Sequence, residues 1–469
     1  METSSDRETG RGAQTPLGLV LRLLKVFSDI RPGEAGTALL LTLNVFLLLL
    51  SYYLIKPVRE ALVISAHGPL VRSSLAAAQA ILFIFIVKGF SRLASRVPRH
   101  LLITWVTLFF ISNLVVFYLL KLWGVPVEIR AVAFFIWVGI FNIMTVAQFW
   151  SFANDIYTDE AGKRLFPLIA VGMTCGAVFG SGIANIIIKP LGHHFDSVMM
   201  LMTAGVLGIC IALTVVIHNR EITRIRERAS KSEPGVLEEE KVKQQPLAKG
   251  GGFRLVFKSR YLLFYALLIL CLNYVNYMGE NIWSVVVKQT AVKAVQLGTT
   301  GGLNEAQFEA GIYANYQLLY NLIALIVQLF LVSRIFKRVG VTGALLILPF
   351  IALGGYGLVG LGASLVLIKW VKGFENGLDY SLMNTIKGAL FLITSREEKY
   401  KGKAAADTFF YRTGDALAFL TLFVGMRYLH FTVENFGKIN VIATAIWILF
   451  CFLVIREYKR IKAKPAIAA

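Results

Sequence analysis

The chain consists largely of apolar runs of about twenty residues, each long enough as a helix to cross the hydrocarbon core of a bilayer. The sequence is 469 residues long, 56% hydrophobic and only 16% charged, with a mean hydropathy of +0.66. This composition is typical of a membrane protein with many spans and excludes an ordinary soluble enzyme. The architecture we predict is all-α.

We place about twelve transmembrane helices along the chain. Their approximate bounds are 37–57, 70–90, 101–122, 130–153, 165–188, 197–218, 261–287, 310–333, 341–361, 364–394, 407–428 and 438–456.

The net charge of +20 is distributed unevenly. Most of the 48 Lys and Arg residues lie in the two tails and in the even-numbered loops. Because loops rich in Lys and Arg stay on the cytoplasmic side, this pattern predicts that both termini are cytoplasmic. The basic charge is therefore explained by membrane topology, and no nucleic-acid partner is expected.

A charged, Gly-rich stretch at 219–260 separates six predicted spans from six, and two motifs echo across it. The basic sequence that begins at Ser91 recurs at Ser333, and Trp150-Ser-Phe-Ala-Asn recurs as Tyr380-Ser-Leu-Met-Asn. Parallel six-helix repeats are typical of major-facilitator transporters. The predicted divisions are a cytoplasmic segment with an amphipathic helix, a six-helix bundle, a linker, a second bundle and a cytoplasmic tail, at 1–36, 37–218, 219–260, 261–456 and 457–469.

The tenth predicted span carries charge throughout. On an ideal helix its ionisable residues fall within an arc of roughly 120°. Ionisable groups inside a membrane normally face a bundle interior or a water-filled path. Most of these side chains are cations, so the path is predicted to carry an anion; the residues are Lys369, Lys372, Glu375, Asp379 and Lys387.

Two other spans have polar faces with open interpretations. Lys56 and Arg59 share a face near Pro57, where we expect the first helix to break. They either line a cavity or extend to the outer interface. Glu280, in the seventh span, is an ion-pair partner of a span 10 lysine, a proton carrier or a group that binds a ligand hydroxyl.

Tyr316 and Tyr320, in the eighth span, either stack on a base or belong to an interfacial aromatic belt. In the fifth span, Gly172, Gly176 and Gly180 recur every fourth residue, which favours close helix approach.

The sequence has no GxxxxGK[ST] motif, so nucleotide hydrolysis is not expected. Its four cysteines have no metal-binding spacing, so neither a metal nor a cofactor is expected.

Tyr380 to Asp407 (YSLMNTIKGALFLITSREEKYKGKAAAD) resembles the ATP/ADP translocase family of plastids and intracellular bacteria. REALVIS from Arg59, FWSFAND from Phe149 and the seventh span with Glu280 are similar to further segments of that family. The resemblance covers roughly residues 37–455, and its specific part is the Lys-Gly-Lys-Ala-Ala block at 401–405.

The resemblance implies a nucleotide transporter of a bacterial inner membrane, not an enzyme, that works by ATP/ADP exchange or by proton-coupled uptake. It also implies that cations engage the phosphates and that an acidic residue of span 7 matters for transport. Carried over to matching positions, these residues are Arg59, Glu280, Lys387, Lys401 and Lys403.

The chain departs from the family pattern at several positions. The family's Lys-Asp pair is Arg59-Glu60 here, and two acidic positions are occupied by Asn384 and Gly388. The charged residues at 369, 372, 375 and 379 are not part of the family pattern. The substrate could therefore be a phosphorylated anion other than a nucleotide.

We therefore predict an alternating-access carrier, expected to be a lipid-embedded monomer, that binds a small anion, a nucleotide above all. Lys401 and Lys403 are predicted to lie at the cytoplasmic mouth. Two alternatives stay open, a major-facilitator carrier for another organic or phosphorylated anion or a drug, and a membrane sensor or scaffold that transports nothing. The positive field comes from Lys56, Arg59, Lys372 and Lys387, while Glu280 and Asp379 pair with these cations or carry a proton.

Overall fold

The computed structural model describes residues 34–94, 99–157, 159–229, 252–395, 398 and 402–463, which are helices joined by short turns. Short π-helical segments at Val327–Leu331, Asp379–Met383 and Ala406–Phe410 interrupt helices of the second half. The helices, numbered α1 to α15, are Ala35–Ala94, Arg99–Leu122, Val127–Ile156, Asp159–Ile187, Phe195–Ala229, Gly252–Lys258, Arg260–Gln296, Glu305–Ile326, Val332–Ala344, Ile347–Gly360, Leu365–Leu378, Asn384–Ala389, Lys403–Ala405, Tyr411–Arg427 and Val433–Ala463.

Helices of each half pack mainly on helices of the same half. In the first half α1 lies against α3, α4 and α5, and in the second half α7 and α10 lie against α15. The halves meet where α8 contacts α1 and α4 and where α7 contacts α1. Eight helices of the described residues are long and apolar enough to cross a membrane. The all-α, two-bundle membrane fold is confirmed, whereas the number of twelve crossings stays a prediction.

The expected break at Pro57 is wrong. Helix α1 continues through Pro57, and its only non-helical backbone angles are at Gly68 (φ 80°, ψ 175°). Proline removes one backbone donor, a loss that neighbouring helices can compensate in a membrane bundle. Gly68 lacks a Cβ and reaches positive φ without strain, so the chain turns there. The polar face that begins at Tyr52 thus continues on an unbroken helix.

The glycines of α4 allow it to approach α1 closely, as their spacing predicts. A Cβ added at Gly176 would lie 2.1 Å from the carbonyl oxygen of Phe46, and one at Gly180 would lie 2.6 Å from that of Leu50. These distances leave no room for any side chain. Backbone contact between the two helices therefore holds the first half together.

Both ends of the predicted linker 219–260 are helical, because α5 extends to Ala229 and α6 begins at Gly252. The predicted N-terminal amphipathic helix, the middle of the linker, Lys401 and the last residues of the tail lie outside the described residues. The five divisions of the chain stay predictions.

Candidate functional site

A cavity of about 290 Å³ lies where the two halves meet. Its polar lining comes from α1 on one side and from α7, α8, α11 and α14 on the other. The lining residues are Tyr52, Lys56, Arg59, Glu60, Arg72, Asn273, Asn276, Tyr277, Glu280, Tyr313, Tyr316, Gln317, Tyr320, Asn376, Tyr380, Tyr411, Arg412 and Asp415.

Lys56 extends from the first half toward the second. Its Nζ donates a hydrogen bond of 2.7 Å to Tyr320 Oη and lies 5.0 Å from the ring centre of Tyr53. Within the described chain, no carboxylate lies within ion-pair distance of this ammonium group. Tyrosine rings and a hydroxyl solvate the charge without neutralising it. Lys56 therefore remains able to bind an anion, and of the two positions left open for it the structure has the one in the cavity wall.

Arg59 and Arg72 are held by one carboxylate. Glu60 is 2% exposed, pairs with Arg59, and accepts a hydrogen bond of 2.5 Å from Arg72 Nε. Two guanidinium groups and one carboxylate leave a net positive charge, and burial strengthens its field because little water screens it. The first half thus presents a fixed cationic surface to the cavity.

Glu280 lies opposite, in a hydrogen-bonded cluster of the second half. Its Oε1 accepts from Tyr316 Oη at 3.0 Å and from Asn376 Nδ2 at 2.7 Å. Lys372 Nζ lies 3.8 Å from the same oxygen. Of the three interpretations open for Glu280, the structure contains the ion pair with a span 10 lysine, which keeps Glu280 at a fixed position on the cavity wall; the proton carrier and the hydroxyl-binding group stay predictions.

Lys372 lies behind this wall and is 1% exposed. Its Nζ donates to Asn276 and, at 3.1 Å, to Glu375 Oε2, which also accepts from Tyr356. A buried ammonium with several acceptors is satisfied in place. Lys372 thus orients Glu280, and it is not among the residues that line the cavity.

Tyr316 and Tyr320 are buried at 2% and 1% exposure, so they do not form an interfacial belt. Their ring centres lie 5.1 Å apart, in an edge-to-face arrangement, and both line the cavity. Trp283 packs behind Tyr316, with 4.7 Å between ring centres. The cavity therefore has an aromatic wall next to its cations.

The other predicted site residues lie elsewhere. Lys387 pairs with Asp379 at 3.7 Å, and Lys403 pairs with Asp407; none of the four lines the cavity. The π-helical segment Asp379–Met383 separates Lys387 from Lys372. Because a π turn adds a residue, the 100° spacing of an ideal helix does not carry across it.

Sequence reasoning missed several lining residues, among them Arg72, Asn376 and Arg412. The sequence could have identified Arg72, because an arginine inside a predicted span is energetically costly unless it faces a polar cavity. Asn376 lies four residues beyond Lys372 and is therefore on the same helix face. Among the described residues, no group of His, Cys, Asp and Glu side chains is arranged to hold a metal ion.

The fold is that of major-facilitator-type transporters. The nucleoside transporter NupG matches with a TM-score of 0.59 at 12% identity, over 92% of this chain and 100% of that one. A bacterial homolog of the lysosomal transporter Spinster matches with a TM-score of 0.56 at 14% identity, over 93% of this chain and 100% of that one.

A sequence profile of the TLC ATP/ADP transporter family matches residues 132–458, and the chain belongs to that family. ADP,ATP carrier protein 2 of Chlamydia pneumoniae is 23% identical over 68% of this chain and 64% of its own length. ADP,ATP carrier protein 4 of Rickettsia felis is 23% identical over 66% of this chain and 63% of its own length. The chain thus spans less than two thirds of the length of these relatives.

Proposed function

We propose that the protein is a transporter, not an enzyme, that moves nucleotides across a membrane by alternating access, through ATP/ADP exchange or proton-coupled uptake. The observation that carries this proposal is a cavity between two bundles that combines cations with tyrosine rings. A nucleotide offers a polyanionic end and a flat base, and the two kinds of wall complement these two ends. Membership of the ATP/ADP transporter family supports the same substrate class.

The phosphates would bind at the first-half surface formed by Lys56, Arg59 and Arg72. Lys56 contributes an ammonium that tyrosines surround, and the guanidinium groups offer planar pairs of donors. The base would lie against Tyr316 or Tyr320, while Glu280 and Asn376 provide polar atoms for a base or ribose hydroxyl. Because the two ends of the ligand contact different halves, binding would couple the halves.

We further propose a bacterial inner-membrane location with both termini in the cytoplasm, as the distribution of Lys and Arg supports. A monomer suffices, since one chain supplies both walls of the cavity. Lys403, together with Lys401, is proposed to attract anions toward the cytoplasmic end. Lys387 and Asp379 are proposed to act as an ion pair inside the second half.

The test is uptake of radiolabelled ATP by the purified full chain in liposomes, with and without ADP inside. Uptake that requires internal ADP establishes exchange, whereas uptake into empty vesicles that follows an imposed pH gradient establishes proton coupling. Competition by unlabelled nucleotides, compared with other phosphorylated and organic anions, defines the substrate. Absence of ATP uptake under every condition, by protein that is folded and correctly oriented, would overturn the proposal.

A further inference from the structure

A second cavity, of about 250 Å³, lies next to the central one along the same helices. It is lined by Trp283, Asn315 and Lys369, whereas Glu280, Tyr316 and Asn376 line the central cavity. The second cavity is displaced toward the C-terminal end of α7 and the N-terminal ends of α8 and α11. It is therefore nearer the end of the molecule at which these helices are connected.

The polar groups of this second cavity come from both halves. The first half contributes Asn185 and the exposed Lys189, and the second half contributes Asn315 and the half-buried Lys369. Lys369 Nζ donates to Asn315 Oδ1 at 2.9 Å. No carboxylate is among the described residues that line this cavity. Two ammonium groups with no acidic neighbour in the wall favour an anion.

Trp283 adds a buried aromatic ring to the wall of the second cavity. Its side chain is fully buried and lines the second cavity, yet Nε1 has no hydrogen-bond partner in the described part of the chain. A buried donor of this kind normally has an acceptor. Glu305 and Glu309, the acidic residues of α8, both lie within ion-pair distance of Lys288, and neither is among the residues that line this cavity.

We propose that this second cavity is a binding site for a phosphate group, carried either by a soluble phosphorylated anion or by a lipid headgroup. Lys189 and Lys369 bind the phosphate oxygens, and the amide groups of Asn185 and Asn315 add donors. Leu365, with its neighbours in the wall, contacts the rest of the ligand. An anion held in this way links the two halves, because the two lysines belong to different halves.

The site stands at a defined place relative to the central cavity. Trp283 lines the second cavity and packs on Tyr316, which lines the central one, so this pair of aromatic rings lies between the two cavities. A soluble anion bound at Lys369 would therefore occupy a position outward along α7 from the proposed nucleotide site. The inference rests on the proposed function only for the use of ATP as a probe. Binding of a lipid headgroup at this site does not depend on nucleotide transport.

The test compares four full-length proteins in phosphatidylcholine nanodiscs: the wild type, Lys189→Gln/Lys369→Gln, Lys189→Arg/Lys369→Arg, and the control Lys293→Gln. Lys293 is an exposed lysine on α7 outside both cavities, and its substitution removes one positive charge away from the proposed site, against two in the Gln variant. Binding of radiolabelled ATP is titrated, with inorganic pyrophosphate as competitor. In parallel, each protein is purified from phosphatidylglycerol-containing membranes and its retained phosphatidylglycerol is quantified by mass spectrometry.

If the ligand is a soluble anion, the wild type shows a second class of ATP-binding sites. The affinity of these sites for ATP should be about tenfold or more lower in the Gln variant, because charged hydrogen bonds are lost. For a lipid ligand, the Gln variant loses retained phosphatidylglycerol instead. The Arg variant and Lys293→Gln keep the wild-type behaviour in both cases. If the Gln variant matches the wild type in ATP binding and in lipid retention, the proposal is overturned. A wild type that binds no ATP at all would contradict the proposed function. The comparison of retained phosphatidylglycerol between the wild type and the Gln variant would then still test the second site.

Discussion

At the scale of single residues, partners determine what each charge in this membrane protein can do. Among the residues that the structure describes, the ammonium group of Lys56 has tyrosine rings and a hydroxyl as neighbours and no carboxylate within 4 Å, whereas Lys372 and Lys387 each have one. A cation that is already neutralised offers less to a ligand than one that is solvated by aromatic rings. Lys56 is therefore the strongest candidate for direct phosphate binding, and Lys372 for orienting Glu280.

Lys56→Gln should reduce ATP uptake into ADP-loaded liposomes about tenfold or more, mainly through a higher KM, because one charge-assisted contact to the phosphates is lost. Initial rates over a range of ATP concentrations measure this effect. Lys387→Gln is the control, since Lys387 pairs with Asp379 outside the cavity and its loss should change KM less. Equal effects of the two substitutions would show that the cavity geometry does not identify the phosphate site.

Glu60→Gln should destabilise the folded protein by about 3–5 kcal/mol, because it leaves two buried guanidinium groups without their carboxylate. The measurement is thermal unfolding in detergent, followed by intrinsic fluorescence. Glu128→Gln, at an exposed carboxylate near the start of α3, should leave the unfolding temperature unchanged. An unfolding temperature for Glu60→Gln equal to that of the wild type would contradict the role assigned to Glu60.

At the scale of helices, glycine spacing and local irregularities position the site. The glycines of α4 bring it against α1, which carries Lys56 and Arg59. Helix α1 does not end at Pro57 but turns at Gly68, so Arg72 folds back toward Glu60. In the tenth predicted span, the π-helical segment shifts Lys387 out of line with Lys372. Each of these features decides which way a charged face points.

Gly176→Val should lower the unfolding temperature and the yield of monodisperse protein, because its side chain would overlap the backbone of α1 at Phe46. Overpacking of this kind costs about 1–3 kcal/mol or more. The control is Gly205→Val on α5, where a Cβ meets nothing within 4 Å. Size-exclusion profiles after heating compare the two proteins. Similar losses for both would argue against close packing of α4 on α1.

At the scale of the whole molecule, polar contacts join the two halves near the turn at Gly68 in α1. Ser73 Oγ donates to Asn281 Oδ1 at 2.6 Å, and Tyr277 Oη donates to the Ser73 carbonyl at 2.9 Å. Lys288 Nζ reaches the Ser65 carbonyl at 3.2 Å. Alternating access requires the halves to separate at one end while they close at the other. If the chain transports by alternating access, as proposed, these contacts are expected to break during each cycle.

A thiol cross-link across this contact should stop transport. Cysteines at Ser73 and Asn281, in a background that lacks the four native cysteines, are joined with a short reducible bifunctional methanethiosulfonate. ATP uptake should fall with the fraction cross-linked and recover after reduction. The control joins cysteines at Asn44 and Thr214, which are hydrogen-bonded within the first half at 3.1 Å. Full uptake by completely cross-linked Ser73→Cys/Asn281→Cys protein would contradict relative motion of the halves at this place.

The amino-acid sequence by itself determined the helical membrane architecture, the division into two halves and the close approach of α4, because these follow from runs of apolar residues and from local spacing. It also placed Lys56, Arg59 and Glu280 on polar faces that line the cavity. Only the tertiary structure decided which charges meet. Helical periodicity gives the face of a side chain on its own helix, but the rotation of that helix and the partner it faces depend on packing between distant segments. The pairing of Arg72 with Glu60 across the turn at Gly68 is decided at that level. So is the difference between Lys369, which lines the second cavity, and Lys372, which is buried behind the wall of the central one.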